Sequence, residues 1–428
     1  MANNVNPLLG NIQEDVMAFL NEIQLKYPDA ISLASGRPDE SYFEIKDFPE
    51  NFNRYVEALV QSTNSDRDKV LKGLGQYNRA KGIANDLLSL YFLKDEKINV
   101  LPEDIIITVG TQEALALSVM TLCDRKNDVI LVEDPSYIGI THFSLISGHQ
   151  IEAIAMEEDG VSMEGIEEKV VDLAQDGKKV RIVYVIPDFQ NPTGAYMSLK
   201  KRRRLLELAD KYDFFILEDN AYSDFRYHEE EFLPIKALDE NKRVVYIRSF
   251  SKTLYPSLRI AAMIADSAVA IPHGEASLSD LIARTKGYLT VNTPSINQAI
   301  LGGILIKNDC SLYSANQSKV KSMKEKRDLL LFYLNRSLRD QEGWGEDITW
   351  NVPQGGFFMT IRVPFEVDRK EVIGCAEKYK VIFTPMAFFY LKDGGNNEIR
   401  IAFSNLSAGQ LRDAIGRLIS YFKSKIYN

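Results

Sequence analysis

The segment VVYIRSFSKTLYPSLR contains a dense group of side chains that could do chemistry together. Within eleven residues, directly after an apolar run typical of a buried strand, come Ser249, Ser251, Lys252 and Arg259. Two hydroxyl groups and a guanidinium can hold a phosphate through charge-assisted hydrogen bonds. A partly desolvated lysine among cations has a lowered pKa and can form a Schiff base with a carbonyl compound. A lone lysine after a strand is usually solvated, but these neighbours favour a chemical role for Lys252.

A carboxylate and a tyrosine follow a second apolar run, FFILED. Asp219 ends this run and Tyr222 comes three residues later, so both are expected at the edge of the sheet that also carries Lys252. A carboxylate that faces the nitrogen of a pyridine ring keeps this nitrogen protonated, which lets the ring accept electrons. An N-cap for the next helix is the alternative role for such polar residues, and we retain it only for Asn220.

Three more segments place polar groups after predicted strands. VGTQEAL opens a helix with Gly110, Thr111 and Gln112, where unpaired backbone amides and the helix dipole favour an anion. A tight turn into a helix is the alternative for this segment. The turn PDFQNPTG contains Asn191, and EDPSY contains Tyr137, whose ring could stack on an aromatic ligand or belong to the core.

Charge and cysteine content exclude several classes of function. The chain has 51 basic and 60 acidic residues, a net charge of -9 that gives no overall attraction to nucleic acid or anionic lipid. The three cysteines and four histidines show no metal-ligand spacing, so we expect no metal and a reducing compartment. No segment approaches the roughly 18 apolar residues of a membrane span, and no signal peptide is evident. We therefore expect a cytoplasmic protein without nucleic acid or membrane partners, in which the basic run KKRRR is a solvated helix face.

The order of elements shows how these groups are brought together. From about residue 104 to 264, short β-branched runs alternate with helical patterns, which predicts an α/β fold: a large domain with a mostly parallel sheet covered by helices on both faces. A smaller α+β domain follows. We expect an N-terminal segment over 1–60 that packs with the small domain, a large ligand-binding domain over 61–300 and the small domain over 301–428. Ligands of such sheets lie beyond the carboxyl ends of the strands, where the motifs stand.

The combined motifs resemble those of a known family. SxSK with an arginine seven residues after the lysine, preceded by NPTG and then by EDNAY, is similar to the pyridoxal-phosphate-dependent aminotransferases of fold type I, class I/II. The similarity spans Gly36 to Arg400 and is greatest to the branch with 2-aminoadipate and kynurenine aminotransferases, through ISLASGRPD, TVGTQEAL and SFSKTLYPSLR. It implies pyridoxal 5'-phosphate as cofactor, and transfer of an amino group between an L-amino acid and a 2-oxo acid by a ping-pong mechanism through a Lys252 aldimine.

The resemblance also implies a role for each motif residue. Lys252, Asp219 and Tyr222 would be catalytic, with Lys252 shuttling a proton and Asp219 facing the ring nitrogen. Asn191 and Tyr222 would contact the ring oxygen, and Tyr137 would stack on the ring. The remaining cofactor-binding residues, most of them around the phosphate, would be Gly110, Thr111, Gln112, Ser249, Ser251 and Arg259.

Substrate and partner residues follow from the same resemblance. Arg400 in NEIRIAFSN would bind the substrate α-carboxylate together with Gly36 and Asn191, although an isolated strand arginine is more often part of a surface ion pair. Tyr77 of GLGQYNRAKG would reach into the site of a partner subunit, which implies a homodimer. Arg37 either recognises a distal acidic group of the substrate or lies at the surface.

Departures from the family pattern leave other reactions open. Ser257 and Ala261 replace glycines after the lysine, and Met386 stands where Pro-Gly is common. A second hypothesis is therefore a pyridoxal-phosphate enzyme of another reaction type, such as elimination, cyclisation, decarboxylation or oxidation of an amino acid, in a specialised biosynthetic pathway. A third, a regulator with an aminotransferase-like sensor, would need an added DNA-binding module. The amino acid and its acceptor stay open, because the aromatic residues near the site could form a substrate pocket or simply core: Phe357, Phe358, Phe388, Phe389 and Tyr390.

Overall fold

The computed structural model describes residues 6–11, 16–228, 233–339 and 344–427. The α-helices of this part are α1 (Val16–Lys26), α2 (Phe48–Thr63), α3 (Arg67–Leu74), α4 (Asn85–Glu96), α5 (Thr111–Leu122), α6 (Ile138–Ser147), α7 (Met163–Gln175), α8 (Leu199–Tyr212), α9 (Leu278–Leu289), α10 (Ser295–Lys307), α11 (Tyr313–Leu338), α12 (Arg369–Lys378) and α13 (Ala408–Tyr427). The strands are β1 (Ile31–Ser32), β2 (Ile105–Thr108), β3 (Asp128–Asp134), β4 (Gln150–Glu157), β5 (Gly160–Val161), β6 (Lys179–Val185), β7 (Phe215–Asn220), β8 (Val244–Ser249), β9 (Ala261–Ile264), β10 (Ala268–Ile271), β11 (Gly274–Ser277), β12 (Thr349–Trp350), β13 (Phe358–Arg362), β14 (Val381–Ile382), β15 (Thr384–Pro385) and β16 (Glu398–Ala402).

The large sheet has eight strands in the order β2-β9-β8-β7-β6-β3-β4-β5. The central pairs from β8 to β4 are parallel, whereas β9 and β5 run antiparallel to their neighbours. Alternate side chains of a strand face opposite sides of a sheet. Ile105 and Ile107 of β2 accordingly join one apolar cluster and Ile106 joins another, so both faces of the sheet are covered. The predicted large α/β domain is confirmed.

A smaller unit contains the antiparallel sheet β12-β13-β16-β15 and the helices α11, α12 and α13. Helix α1 packs here, because its residues Phe19 and Leu20 belong to the apolar cluster of this unit. The short strand β1 pairs in parallel with β14, with Ile31 opposite Val381. The predicted smaller α+β domain is therefore present, and the segment from α1 to β1 packs with it.

The boundaries expected at residues 60 and 300 both fall inside helices, α2 and α10. These two helices pack closely: a Cβ atom added at Gly303 of α10 would lie 1.8 Å from the carbonyl oxygen of Asn51 in α2. Tyr55 of α2 joins the apolar cluster of the large sheet. Helical periodicity alone does not show which helix covers another, so the sequence did not locate this contact. We propose a large domain that begins with α2 and ends with α10.

The basic run KKRRR is only in part the solvated face that its charge predicts, since Lys200 and Arg203 are exposed but two other residues are buried. Arg202 of α8 is 0% exposed, and its guanidinium pairs with the Asp188 carboxylate at 2.6 Å. Lys201 is also buried and pairs with Glu157 at 2.6 Å. These carboxylates come from distant parts of the chain, so no local pattern indicates them.

Cys123, Cys310 and Cys375 are unpaired thiols. Among the helices in the described ranges, none has the length and apolar character needed to cross a bilayer.

Candidate active site

The predicted site residues converge at the carboxyl edge of the large sheet. Asp219 lies near the end of β7, Ser249 ends β8, and Thr111 begins α5 just after β2. Tyr137 and Asn191 follow β3 and β6 at the same edge. Parallel strands bring their carboxyl ends together, which is why motifs far apart in the sequence meet here.

The Lys252 side chain lies at the centre of this edge. Its Nζ donates a hydrogen bond to the Gly36 carbonyl oxygen (3.0 Å) and stands 6.0 Å from the centroid of the Tyr222 ring. Burial and the nearby cations Arg400 and Arg259 lower the pKa of Lys252 to about 8, against the opposing effect of the Asp219 carboxylate. A lysine in this range has a usable fraction of free amine near neutral pH, which suits a nucleophile or a base.

The Asp219 carboxyl group is buried, with 4% of the residue exposed. Its Oδ2 accepts a hydrogen bond from the Tyr184 hydroxyl at 2.9 Å, whereas its buried Oδ1 has no partner in the described part of the chain. Burial raises the pKa of Asp219 to about 6, and the Tyr184 hydrogen bond and Lys252 oppose this rise. An unpaired buried carboxylate oxygen is costly, so Oδ1 is suited to a bound donor such as a protonated ring nitrogen.

A second unpaired group lies where α5 begins. Gly110 precedes the helix with a φ of +75°, and a Cβ there would lie 2.3 Å from Nη2 of Arg259. The guanidinium therefore packs directly over the helix start. The Thr111 Oγ1 atom is buried without a partner among the described residues, and the Ser249 Oγ accepts only a long hydrogen bond from the Ser251 amide (3.4 Å). Helix amides, hydroxyls and a guanidinium form the donor set that a phosphate requires.

Gln112 and Tyr137 lie beside these donor groups. The Gln112 side-chain nitrogen donates to the Gly139 carbonyl at 2.9 Å. Burial raises the pKa of Tyr137 to about 12, with Asp219 acting in the same direction and Arg259 in the opposite one. Tyr137 therefore lies close enough to both the Asp219 carboxylate and the Arg259 guanidinium for each charge to affect its pKa.

Arg400 on β16 is a buried cation without a carboxylate partner in the described ranges. Its guanidinium donates to the Asn191 Oδ1 (2.7 Å) and to the Ala34 carbonyl (2.6 Å), while its Nε has no partner there. The rings of Phe358 and Phe389 stack near the guanidinium, at 4.5 and 4.6 Å. Burial lowers the pKa of Arg400 to about 10, and Tyr222 opposes this effect. A desolvated guanidinium with a free donor is suited to an anionic ligand.

Gly36 and Tyr222 both lie against Phe358, the ring that also contacts Arg400. A Cβ added at Gly36 would lie 2.5 Å from the Phe358 ring, so a larger residue would not fit without movement. The Tyr222 ring makes edge contacts with Phe357 and Phe358, and burial raises the pKa of its hydroxyl. The structure therefore brings Gly36, Asn191, Tyr222, Lys252 and Arg400 into one pocket.

Two predicted residues lie outside this pocket. Tyr77 is 81% exposed in the loop between α3 and α4, and Arg37 is exposed beside Gly36. Of the departures from the family pattern, Ser257 is exposed and Ala261 pairs with Ser249 across β8 and β9.

Two buried polar residues of the site escaped the sequence analysis. Tyr184 lies within the apolar run RIVYV, which predicts only a core role; the need of a buried tyrosine hydroxyl for a partner is the signal that could have found it. Gln190 is fully buried and links two loops: its Nε2 donates to the Pro135 carbonyl (2.8 Å) and its Oε1 accepts from the Thr193 amide (2.9 Å). It thus connects the loop that precedes Tyr137 with the loop of Asn191.

Comparison with known proteins agrees with this geometry. A sequence model of the family "Aminotransferase class I and II" matches residues 40–418. The chain is 37% identical over 411 residues to an (S)-3,5-dihydroxyphenylglycine transaminase of Amycolatopsis orientalis, which covers 96% of this chain and 92% of that protein. It is 33% identical over 403 residues to aromatic-amino-acid aminotransferase 1 of Thermococcus litoralis, covering 93% and 89% of the two chains.

Solved structures extend the comparison to the fold. Kynurenine aminotransferase of Pyrococcus horikoshii, solved in complex with PMP, superposes with a TM-score of 0.80 at 29% identity over 96% of this chain and 95% of that one. The Asp219 and Thr111 oxygens lack a partner in the described part of the chain, and together with the buried Lys252 amine they match the needs of a phosphorylated pyridine aldehyde. With a family match over most of its length and a site that fits the cofactor, the chain belongs to the class I and II aminotransferases and is a pyridoxal-phosphate-dependent enzyme.

Proposed function

We propose specific roles for the site residues in transfer of an amino group between an amino acid and a 2-oxo acid. The observation that carries this assignment is the buried Asp219 Oδ1 atom, which has no partner in the described part of the chain and lies in the pocket of Lys252. Bound pyridoxal phosphate supplies an electron sink for the carbanion formed at the substrate Cα. Asp219 would accept a hydrogen bond from the ring nitrogen, and Thr111, Ser249, Ser251 and Arg259 would hold the phosphate.

Lys252 would hold the cofactor and then move a proton at the substrate Cα. Its lowered pKa of about 8 allows it to take up and return a proton near neutral pH. Its hydrogen bond to Gly36 places the amine beside the segment proposed to receive the substrate carboxylate. Arg400 would bind this carboxylate, and Asn191, which already accepts from Arg400, would set the guanidinium's orientation.

We further propose that the substrate carries an aromatic side chain. Two similar proteins are named for aromatic amino acids, at 37% and 33% identity. The turn after β15 places the half-buried Phe388 and Tyr390 on either side of Phe389, which contacts Arg400. Phenylglycine or phenylalanine should therefore react faster than alanine or glutamate.

A homodimer with Tyr77 contributed across the interface is also proposed. Beside the exposed Tyr77, Asn78 donates to the Ser295 hydroxyl at 2.8 Å, which places this loop next to the start of α10. Ile296 and Tyr288 nearby are 55% and 89% exposed. A second copy would cover these apolar side chains. A cytoplasmic location is proposed as well, supported by three free thiols, two of them buried.

A half-reaction without acceptor tests the reaction type. The holoenzyme is mixed with an aromatic amino acid, and the products are quantified. An aminotransferase must stop after one equivalent of 2-oxo acid per site, because the amino group has nowhere else to go, and an added 2-oxo acid must restart turnover. Continuous release of ammonia, carbon dioxide or a cyclised product would instead establish the other reaction types.

A further inference from the structure

Arg248 is a fully buried arginine on β8, one residue before Ser249, and its exposed fraction is 0%. Each nitrogen of its guanidinium is engaged. On one side, Nε bonds to the Tyr91 hydroxyl (2.9 Å) and lies 3.0 Å from a carboxylate oxygen of Glu96, both on α4. This side anchors the arginine to the body of the large domain.

The other side of the guanidinium holds the segment that follows β7. Nη1 donates to the Asn220 Oδ1 (3.2 Å) and to the Ser223 hydroxyl (3.1 Å), and Nη2 pairs with the Asp224 carboxylate. These three residues alternate with Asp219 and Tyr222, whose side chains contact the active-site pocket instead. These five residues thus present one set of side chains to Arg248 and another to the site.

The network around Arg248 is closed by further hydrogen bonds. The Tyr246 hydroxyl donates to Glu96 (2.5 Å) and accepts from the Asn220 side-chain nitrogen (2.8 Å). A buried, fully satisfied polar network of this kind has one favoured geometry, because any shift leaves a charge or donor unpaired in a medium of low dielectric constant. Segment 220–224 is consequently held in one arrangement from behind.

We propose that Arg248 is a positioning residue of the transamination site, which fixes the Asp219 carboxylate and the Tyr222 hydroxyl through Asn220, Ser223 and Asp224. The inference rests on the proposed roles of Asp219 and Tyr222. Proton transfer and hydrogen bonding to a ring nitrogen are sensitive to shifts of well under 1 Å. Loss of the contacts between the Arg248 guanidinium and segment 220–224 should therefore slow catalysis, although no contact with substrate or cofactor is removed.

The test compares Arg248→Lys and Arg248→Met with the wild-type holoenzyme. Lysine keeps the charge but cannot contact both sides at once. We expect loss of the substrate α-deuteron to slow at least about tenfold in both variants. We also expect the pH midpoint of the bound cofactor's absorbance change to rise. A displaced Asp219 no longer keeps the ring nitrogen protonated, so the positive charge that repels a proton at the Lys252 nitrogen is lost.

Lys236→Met is the matched control, because Lys236 is a buried cation that pairs with Asp239 (2.9 Å) and Asp266 (2.7 Å). Asp239 accepts a hydrogen bond from the Val244 amide, where β8 begins, so this ion pair lies at the opposite end of the strand from Ser249. Lys236→Met should lower the unfolding temperature and leave the pH midpoint unchanged.

If the Arg248 variants do not fold, Asp224→Asn weakens the same contacts more gently and should raise the midpoint in the same direction. A wild-type midpoint and exchange rate in the folded variants would overturn the inference, whereas failure of the wild-type enzyme to release a 2-oxo acid would overturn the proposed function.

Discussion

At the scale of single residues, the site joins two ionisable groups whose pKa values approach each other from opposite sides. Burial raises the pKa of Asp219 to about 6 and lowers that of Lys252 to about 8. Between pH 6 and pH 8, the Asp219 carboxylate is mainly ionised, and the fraction of free Lys252 amine grows as the pH rises. Enzymes commonly raise the pKa of a carboxyl group and lower that of a lysine in this way, because acid and base catalysis works best when the pKa lies near the operating pH.

Asp219→Asn should slow loss of the substrate α-proton by about 10²-fold or more, since the ring nitrogen would lose its anionic partner. The cofactor should remain bound, because the phosphate contacts are untouched. Exchange of a Cα deuteron, followed by NMR, measures the effect. An unchanged exchange rate would show that Asp219 does not support the ring nitrogen.

The pKa of Lys252 should appear in the reaction of the apoenzyme with pyridoxal phosphate. The rate should increase as the pH rises towards about 8 and level off above it, because only the free amine attacks the aldehyde. Stopped-flow absorbance across pH 6 to 10 would record this. A rate that is still rising at pH 10, as expected for a lysine with the ordinary pKa of about 10.4, would contradict the lowered pKa of Lys252.

Tyr184→Phe removes the hydrogen bond that favours the ionised form of Asp219. The pKa of Asp219 should rise further, so activity should be lost at a higher pH on the acidic side of the kcat/KM profile. Tyr55→Phe is the control, since Tyr55 is also buried but donates its hydrogen bond to the Ile83 carbonyl instead of to Asp219. If the acidic side of the kcat/KM profile does not shift in Tyr184→Phe, or shifts equally in Tyr55→Phe, then Tyr184 does not control the pKa of Asp219.

Residue patterns predicted the groups that follow each strand but not those that support them from within the strands. Lys252, Asp219 and Arg400 stand in motifs whose order is readable along the chain. Tyr184 and Arg248 instead lie inside apolar runs, and their partners come from neighbouring strands or from α4. A buried polar group is defined by its distant partner, which no local spacing reveals.

At the scale of elements, close packing of α2 on α10 depends on a glycine. Gly303→Ala should destabilise the protein by about 1–3 kcal/mol, because its Cβ would overlap the Asn51 carbonyl oxygen. Gly416→Ala in α13 is the control: nothing lies within 4 Å of an added Cβ, so the higher helix propensity of alanine should be neutral or stabilising. Urea unfolding of both variants measures the difference. Equal stability would show that α2 can move away at little cost.

The alternation of strands and helices was predictable because buried parallel strands are short apolar runs. The packing of α2 against the large domain was not predictable, because the sequence of an amphipathic helix does not show which surface its apolar face covers. The burial of Arg202 was not predictable for the same reason, because its ion pair with Asp188 joins α8 to the loop that follows β6.

At the scale of the whole molecule, a shared active site has a direct test. Lys252→Ala and Tyr77→Ala would each be inactive or weak as pure proteins. If Tyr77 acts across the interface, mixing and refolding the two together should restore up to about a quarter of wild-type activity, because half of the dimers are hybrids and each hybrid has one intact site. Light scattering should give twice the chain mass. A mixture that is no more active than its components would place Tyr77 in the site of its own subunit or outside any site.

The Phe358 ring, which lies against Arg400, constrains how the substrate range of this enzyme can change. One side chain touches the guanidinium at 4.5 Å, contacts the Tyr222 ring at 5.6 Å and fills the space in front of Gly36. A mutation there would disturb Arg400, the proposed carboxylate-binding residue, and Tyr222 together, so most such variants would be eliminated by selection before a new specificity arose. Evolution and directed engineering alike should therefore find new substrates more readily at the exposed Arg37 and the half-buried Tyr390 than at this phenylalanine.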